Sequence, residues 1–103
     1  MADSDQVRAI KARYRRSLKD KAAVARDWLA SYKAGGLTTE QTGEFAGWLH
    51  QLAGSAGMYQ YEDIAESARA LMAQVENDAT IGNVLEQPLA ALISQLESHA
   101  DES

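Results

Sequence analysis

The 103-residue chain has no cysteine, one proline, one phenylalanine and two histidines. Without cysteine there is no disulfide framework, thiol nucleophile or thiolate metal site, which is compatible with a reducing compartment. A single proline and the lack of any low-complexity tract exclude a disordered linker protein. No apolar run approaches the roughly 20 residues that cross a bilayer. The opening MADSDQVRAIKARYRR turns polar and charged at once, with no apolar stretch to serve as a signal sequence. A soluble, cytoplasmic protein without membrane attachment is expected, and Met1 together with a polar tail fits a complete small protein forming one domain over residues 1–103.

Positive charge is nearly missing from most of the chain. Between Met1 and Lys33 nine basic residues face four acidic ones; the remaining seventy residues hold Arg69 alone against eleven acidic side chains, and the total is −5. The expected molecule has a basic first helix and an acidic remainder, a balance that disfavours general nucleic-acid binding. No β alternation, repeat, phosphate-binding glycine loop, Walker-type lysine or catalytic triad occurs. With two histidines and no Glu-x-x-His pair, no metal site is expected.

What the chain does contain is helical periodicity. Val7, Ile10, Tyr14, Leu18, Ala22, Ala25, Leu29 and Tyr32 recur every three or four residues, with Trp28 at the stripe's edge, and predict one long helix from an N-cap at Ser4 to about Lys33, ended by Gly35 and Gly36. A bend near Ser17 is compatible with this pattern. Thr38, with Gln41 three residues on, forms a capping box for a second helix running to about Gly57. Glu62, Asp63 and Glu66 open a third, whose buried face is Ile64, Ala68, Leu71, Met72 and Val75, with Asn77 as a stop. A fourth is expected from Asp78 or Thr80, kinked at Pro88 and frayed from His99 onward, with His99 an ordinary tail residue. Short connections between four amphipathic segments specify an all-α, antiparallel four-helix bundle with a long N-terminal helix. The tryptophans and tyrosines are expected at its core and rim.

The second helix carries the unusual stretch, GEFAGWLHQLAGSAGMYQY, Gly43 to Tyr61. At about 100° per residue, Phe45, Leu49, Leu52 and Ala56 form a buried stripe while His50 points away from it. Gly43, Gly47, Gly54 and Gly57 lie seven before, three before, four after and seven after the histidine, stacked above and below it on one face. Each interior glycine costs a helix roughly 0.8–1 kcal/mol relative to alanine. Close helix packing also uses glycine, but these residues share the histidine's side of the helix, so they are read as clearing access for a folded partner. Gln51 and Ser55, on the flank of that face, are candidate hydrogen-bond donors to a ligand or partner. An exposed imidazole with no acid, base or metal cluster around it suits the acceptance and release of a group supplied from outside, a phosphoryl group being the obvious one.

His50-Gln51-Leu52, then Gly54-Ser55-Ala56-Gly57, then Tyr59 and Tyr61 resemble the signature of histidine-containing phosphotransfer domains of bacterial type, in which leucine follows the histidine by two residues and glycine by four. Many members carry lysine three residues after the histidine, and here that position is Ala53. The resemblance implies a phosphorelay intermediate: His50 accepts a phosphoryl group through Nε2 from a receiver-domain aspartate, on a response regulator or hybrid histidine kinase, and passes it to another receiver. It implies no cofactor in this chain, Mg²⁺ being held by the partner receiver, and no nucleotide site, so the protein is a phosphocarrier rather than a complete enzyme. Ala53, Gln51 and Ser55 are then candidate phosphate or partner contacts, the basic first helix is expected to steer toward the receiver's acidic pocket, and a monomer keeps the histidine face open. The competing expectation is a helical interaction module that binds a receiver or kinase on the same face without phosphotransfer.

Overall fold

A computed structural model describes residues 2–76 and 85–101, with side chains from residue 5 onward. Four helices follow one another: α1 (Ala2–Lys33), α2 (Thr39–Met58), α3 (Glu62–Glu76) and α4 (Glu86–Ala100). They form an all-α four-helix bundle in which α2 packs closely on α3 and α1 on α4, with α3–α4 contacts joining the two pairs. Asn77, Asp78, Thr80, Ile81 and Val84, which figured in the expected stop and start of the last two helices, lie outside the described residues.

Local chemistry explains the helix ends. α1 stops where Gly35 and Gly36 take φ of 152° and 86°, conformations that favour glycine. The Thr38 hydroxyl accepts from the Gln41 N–H at 3.1 Å while the Gln41 side chain accepts from the Thr38 N–H at 2.9 Å, the reciprocal capping box expected. At the other end of α2, Tyr61 N–H reaches Ala56 O at 2.8 Å and Gln60 N–H reaches Gly57 O at 3.2 Å. This is a Schellman closure in which Gln60, at φ 70°, occupies the left-handed position usually given to glycine.

The core is continuous and wholly apolar among the described residues, with Leu18, Phe45, Leu49, Ile64, Leu71, Leu85, Leu89, Leu92 and Leu96 sealed from solvent. Aromatic side chains fill the seam between α1 and α2, while Tyr32, also in the core, accepts from the Leu85 N–H at 3.3 Å. Trp28 leans on Phe45 with ring centres 5.2 Å apart, and Tyr14 stacks on Tyr59 at 4.2 Å. On its other flank α1 is tied to α4 by Arg26–Glu97 and by Lys33–Glu86 at 3.7 Å.

Five expectations are corrected. α1 begins at Ala2, so Ser4 lies inside the helix rather than capping it. Val7 and Ile10 continue the α1 stripe but are each 48 % exposed. The reason is length: 32 residues at 1.5 Å span about 48 Å, nearly the whole 51 Å long axis, while α4 has only 15 residues, so among the described residues the first turns of α1 run past the end of α4. Pro88 stands in the first turn of α4, described from Glu86 with Leu85 as its N-cap, rather than in a helix interior, so its missing N–H falls where a helix has donors to spare; the expected start at Asp78 or Thr80 lies outside the described residues. His99 is no tail residue: it is helical, its Nε2 lies 2.8 Å from Asp63 Oδ2 on α3, and its ring meets Tyr61 edge-on at 4.9 Å. Ala53, finally, is 6 % exposed and belongs to the α2 core stripe.

Candidate functional site

Leu49 and Leu52, buried at 0 and 2 % exposure, fix the rotation of α2. That rotation turns His50, between them in sequence, out to solvent. No hydrogen bond, ion pair or ring contact with the described residues engages its imidazole. Both ring nitrogens are therefore available to something outside the chain.

Gly43, Gly47 and Gly54 are exposed on the same face, and Gly57 is partly exposed. A Cβ built on any of the four meets nothing within 4 Å. Packing among the described residues thus gives no reason for glycine at these places, and together they forgo about 3–4 kcal/mol of helix propensity. The result is a bare strip of backbone running the length of α2 on either side of the imidazole.

The flanking candidates separate. Gln51 is exposed beside His50 and is free to meet a partner. Ser55 is already engaged: its Oγ shares a 2.7 Å hydrogen bond with the Tyr14 hydroxyl and donates to Leu52 O at 3.3 Å. Burial pushes the Tyr14 phenol above its ordinary value, against the opposing effect of Ser55 and with smaller upward effects from Tyr61 and Tyr59, so it stays a neutral hydroxyl at neutral pH. Ala53 faces inward and offers a partner nothing. Among the described residues no cluster of histidine, cysteine, aspartate or glutamate is placed to hold a metal ion, and no helix is long and apolar enough to cross a membrane.

Two cations that the sequence does not single out flank this face. On α1, Lys21 lines a hollow of about 280 Å³ together with Trp48, Gln51, Leu52 and Ser55. The available signal was its seven- and four-residue spacing from Tyr14 and Ser17, which sets it at the edge of the apolar stripe. On α3, Arg69 is exposed, and the hairpin turning at Gln60 brings α3 back along α2 so that His50 lies level with residue 70. Asp63 meets His99 of α4; six residues on, the exposed Arg69 lies about 120° round α3 from it, off the α4 flank. Its isolation in an otherwise acidic stretch was the signal for it.

Compared with protein-family models, curated proteins and solved structures, the chain matches none.

Proposed function

We propose that the protein is a histidine phosphocarrier of a multistep two-component phosphorelay, working in the cytoplasm. The observation that carries this reading is the exposed, unengaged His50 set in a strip of four glycines whose absent side chains would meet nothing among the described residues. A nucleophile without a local base, acid or metal is useful only to a partner that brings the rest of the chemistry, and a strip without side chains lets a folded partner come close. The resemblance of His50-Gln51-Leu52 and Gly54-Ser55-Ala56-Gly57 to phosphotransfer domains points to a phosphorylated receiver domain as that partner.

In the transfer, Nε2 of neutral His50 attacks phosphorus in line. The bond from phosphorus to the receiver's aspartyl oxygen breaks, the aspartate leaves as carboxylate, and Nδ1 keeps its proton. Neutralisation of the developing charge would fall to the receiver, which in the resembled family's partners holds Mg²⁺. A second receiver reverses the sequence, its aspartate attacking and His50 leaving as neutral imidazole. This chain supplies position and a nucleophile and needs no nucleotide or metal of its own.

The test is incubation of the protein and its His50→Gln variant with phosphorylated receiver domains, scored as acid-labile, alkali-stable phosphate. Label on the native chain and none on the variant is expected. Receiver binding without label from any donor would replace the carrier with a non-catalytic interaction module on the same face.

A further inference from the structure

Phosphoryl transfer at His50 makes no use of Lys21, yet the setting of that lysine is distinctive. Its Nζ donates to Ser17 Oγ at 2.9 Å and lies 4.9 Å above the centre of the Tyr14 ring. Arg26 and Lys33 on the same helix are paired with glutamates of α4, whereas Lys21 has no salt bridge among the described residues. An ammonium has three donors, and Ser17 takes one. Desolvation by burial moves Lys21 below the ordinary lysine value, Asp20 opposing. The side chain is thus a partly dehydrated cation with spare donors and, among the described residues, no carboxylate in direct contact, Asp20 acting on it only from beyond ion-pair distance.

It stands on the wall of the 280 Å³ hollow, where Trp48 and Leu52 add apolar surface and Gln51 an exposed amide. Gln51 is about 100° round α2 from His50, so the hollow lies on the α1 flank of the helix, beside rather than on the strip that bears His50. We propose that this hollow is an anchor pocket for an aspartate or glutamate side chain of the protein docked over His50. The inference rests on reading that face as a docking surface. A carboxylate supplies the direct ion-pair partner that Lys21 lacks and accepts hydrogen bonds from Lys21 and Gln51, while its methylene stem lies on Trp48 and Leu52. A fully exposed lysine attracts acidic surfaces at long range but defines no register; a recessed one with an apolar collar fixes where the acidic side chain must sit.

The experiment measures phosphoryl transfer from a receiver domain to the full-length native protein and to the variants Lys21→Gln, Lys21→Arg, Gln51→Leu and Lys19→Gln, the last removing one charge at an exposed site of the same helix. Labelling of His50 by phosphoramidate, a small donor that needs no docking, runs in parallel. Lys21→Gln is expected to raise the apparent KM for the receiver about tenfold, leaving kcat and the phosphoramidate rate unchanged. Lys21→Arg should recover part of the loss. Lys19→Gln should change KM less than about twofold. Gln51→Leu, which narrows the mouth of the hollow without touching Lys21, should also raise KM and covers the case in which Lys21→Gln impairs folding. Equal effects of the Lys19 and Lys21 variants, or no effect of Lys21→Gln and Gln51→Leu, would overturn the anchor and leave phosphotransfer intact. Failure of both phosphoramidate and every receiver to label native His50 would overturn the reading of His50, and the anchor with it.

Discussion

Tyr14 of α1 and Ser55 of α2 share a 2.7 Å hydrogen bond across the seam that separates the basic helix from the helix bearing His50. The same phenol ring is stacked on Tyr59, faces Tyr61 at 5.8 Å and lies beneath Lys21. One side chain therefore fixes how α1 meets the C-terminal half of α2. Tyr14→Phe keeps the stacking and removes the bond, so it should cost about 0.5–1.5 kcal/mol in urea unfolding, with Ser55→Ala adding less than its own separate cost because both variants delete one interaction.

The raised phenol also gives a pH dependence with a definite sign. A group that holds its proton more tightly in the folded state contributes stability below its unfolded value of 10.0 and loses it as pH rises through the higher folded value. Native protein should thus lose stability above about pH 10 more steeply than Tyr14→Phe. Lys21, shifted downward, acts in the opposite direction below its ordinary 10.5. Denaturation midpoints between pH 9 and 11 in a Lys21→Gln background isolate the tyrosine's share.

Gly54 separates stability from function. Its missing Cβ would meet nothing within 4 Å, so Gly54→Ala should stabilise the bundle by about 0.8–1 kcal/mol. Gly54→Leu should also fold well, since it too points into open space, yet its side chain occupies the approach to His50. Receiver-dependent transfer should fall more than about tenfold while labelling by phosphoramidate, which needs no large partner, changes little. A thermal melt paired with both transfer assays checks the contrast.

Gln60 holds φ 70° at the α2–α3 turn, and a non-glycine residue in the left-handed region carries a cost of roughly 1–2 kcal/mol. Gln60→Gly should recover about 1 kcal/mol of it, reduced by the greater freedom glycine has in the unfolded chain. Gln60→Val, β-branched, should destabilise. Chemical denaturation of the three proteins orders them Gly, Gln, Val.

Signals contained within a few residues were legible in the sequence. Gly35-Gly36 ended α1 and Thr38 with Gln41 began α2, because both devices close on neighbours within one turn. The rotation of α2 was equally plain, since Leu49 and Leu52 leave His50 only one side to face. What escaped depended on distant residues. His99 is held by Asp63, thirty-six positions away, and no local pattern records that. Val7 and Ile10 continue a periodic stripe that says which way a helix faces but not where its neighbours stop. Pro88 declared a missing donor without declaring the start of the helix around it. Lys21 looked like the other cations of α1 until α2 supplied Trp48 and Gln51 opposite it.

On the proposed reading, a cation from this chain that meets the phosphoryl group on His50 would come from another helix, because α2 carries no lysine or arginine and Ala53 lies in the core. Arg69 meets the requirement by register: His50 is ten residues before the turn residue Gln60 and Arg69 nine after it, exposed on α3 off the α4 flank. Helices in contact are about 8–10 Å apart, a span that an arginine side chain can bridge toward a phosphoryl group carried on an exposed imidazole. Arg69 is exposed and pairs with no carboxylate among the described residues, so Arg69→Ala should leave unfolding free energy within about 0.5 kcal/mol of native. The half-life of phosphohistidine in the isolated protein should shorten severalfold, and Arg69→Lys should restore part of it, since lysine keeps the charge but not the planar fork that matches phosphate oxygens. Unchanged decay in Arg69→Ala would mean that water alone solvates the phosphoryl group on the bare glycine strip, and the phosphohistidine should then also be indifferent to salt.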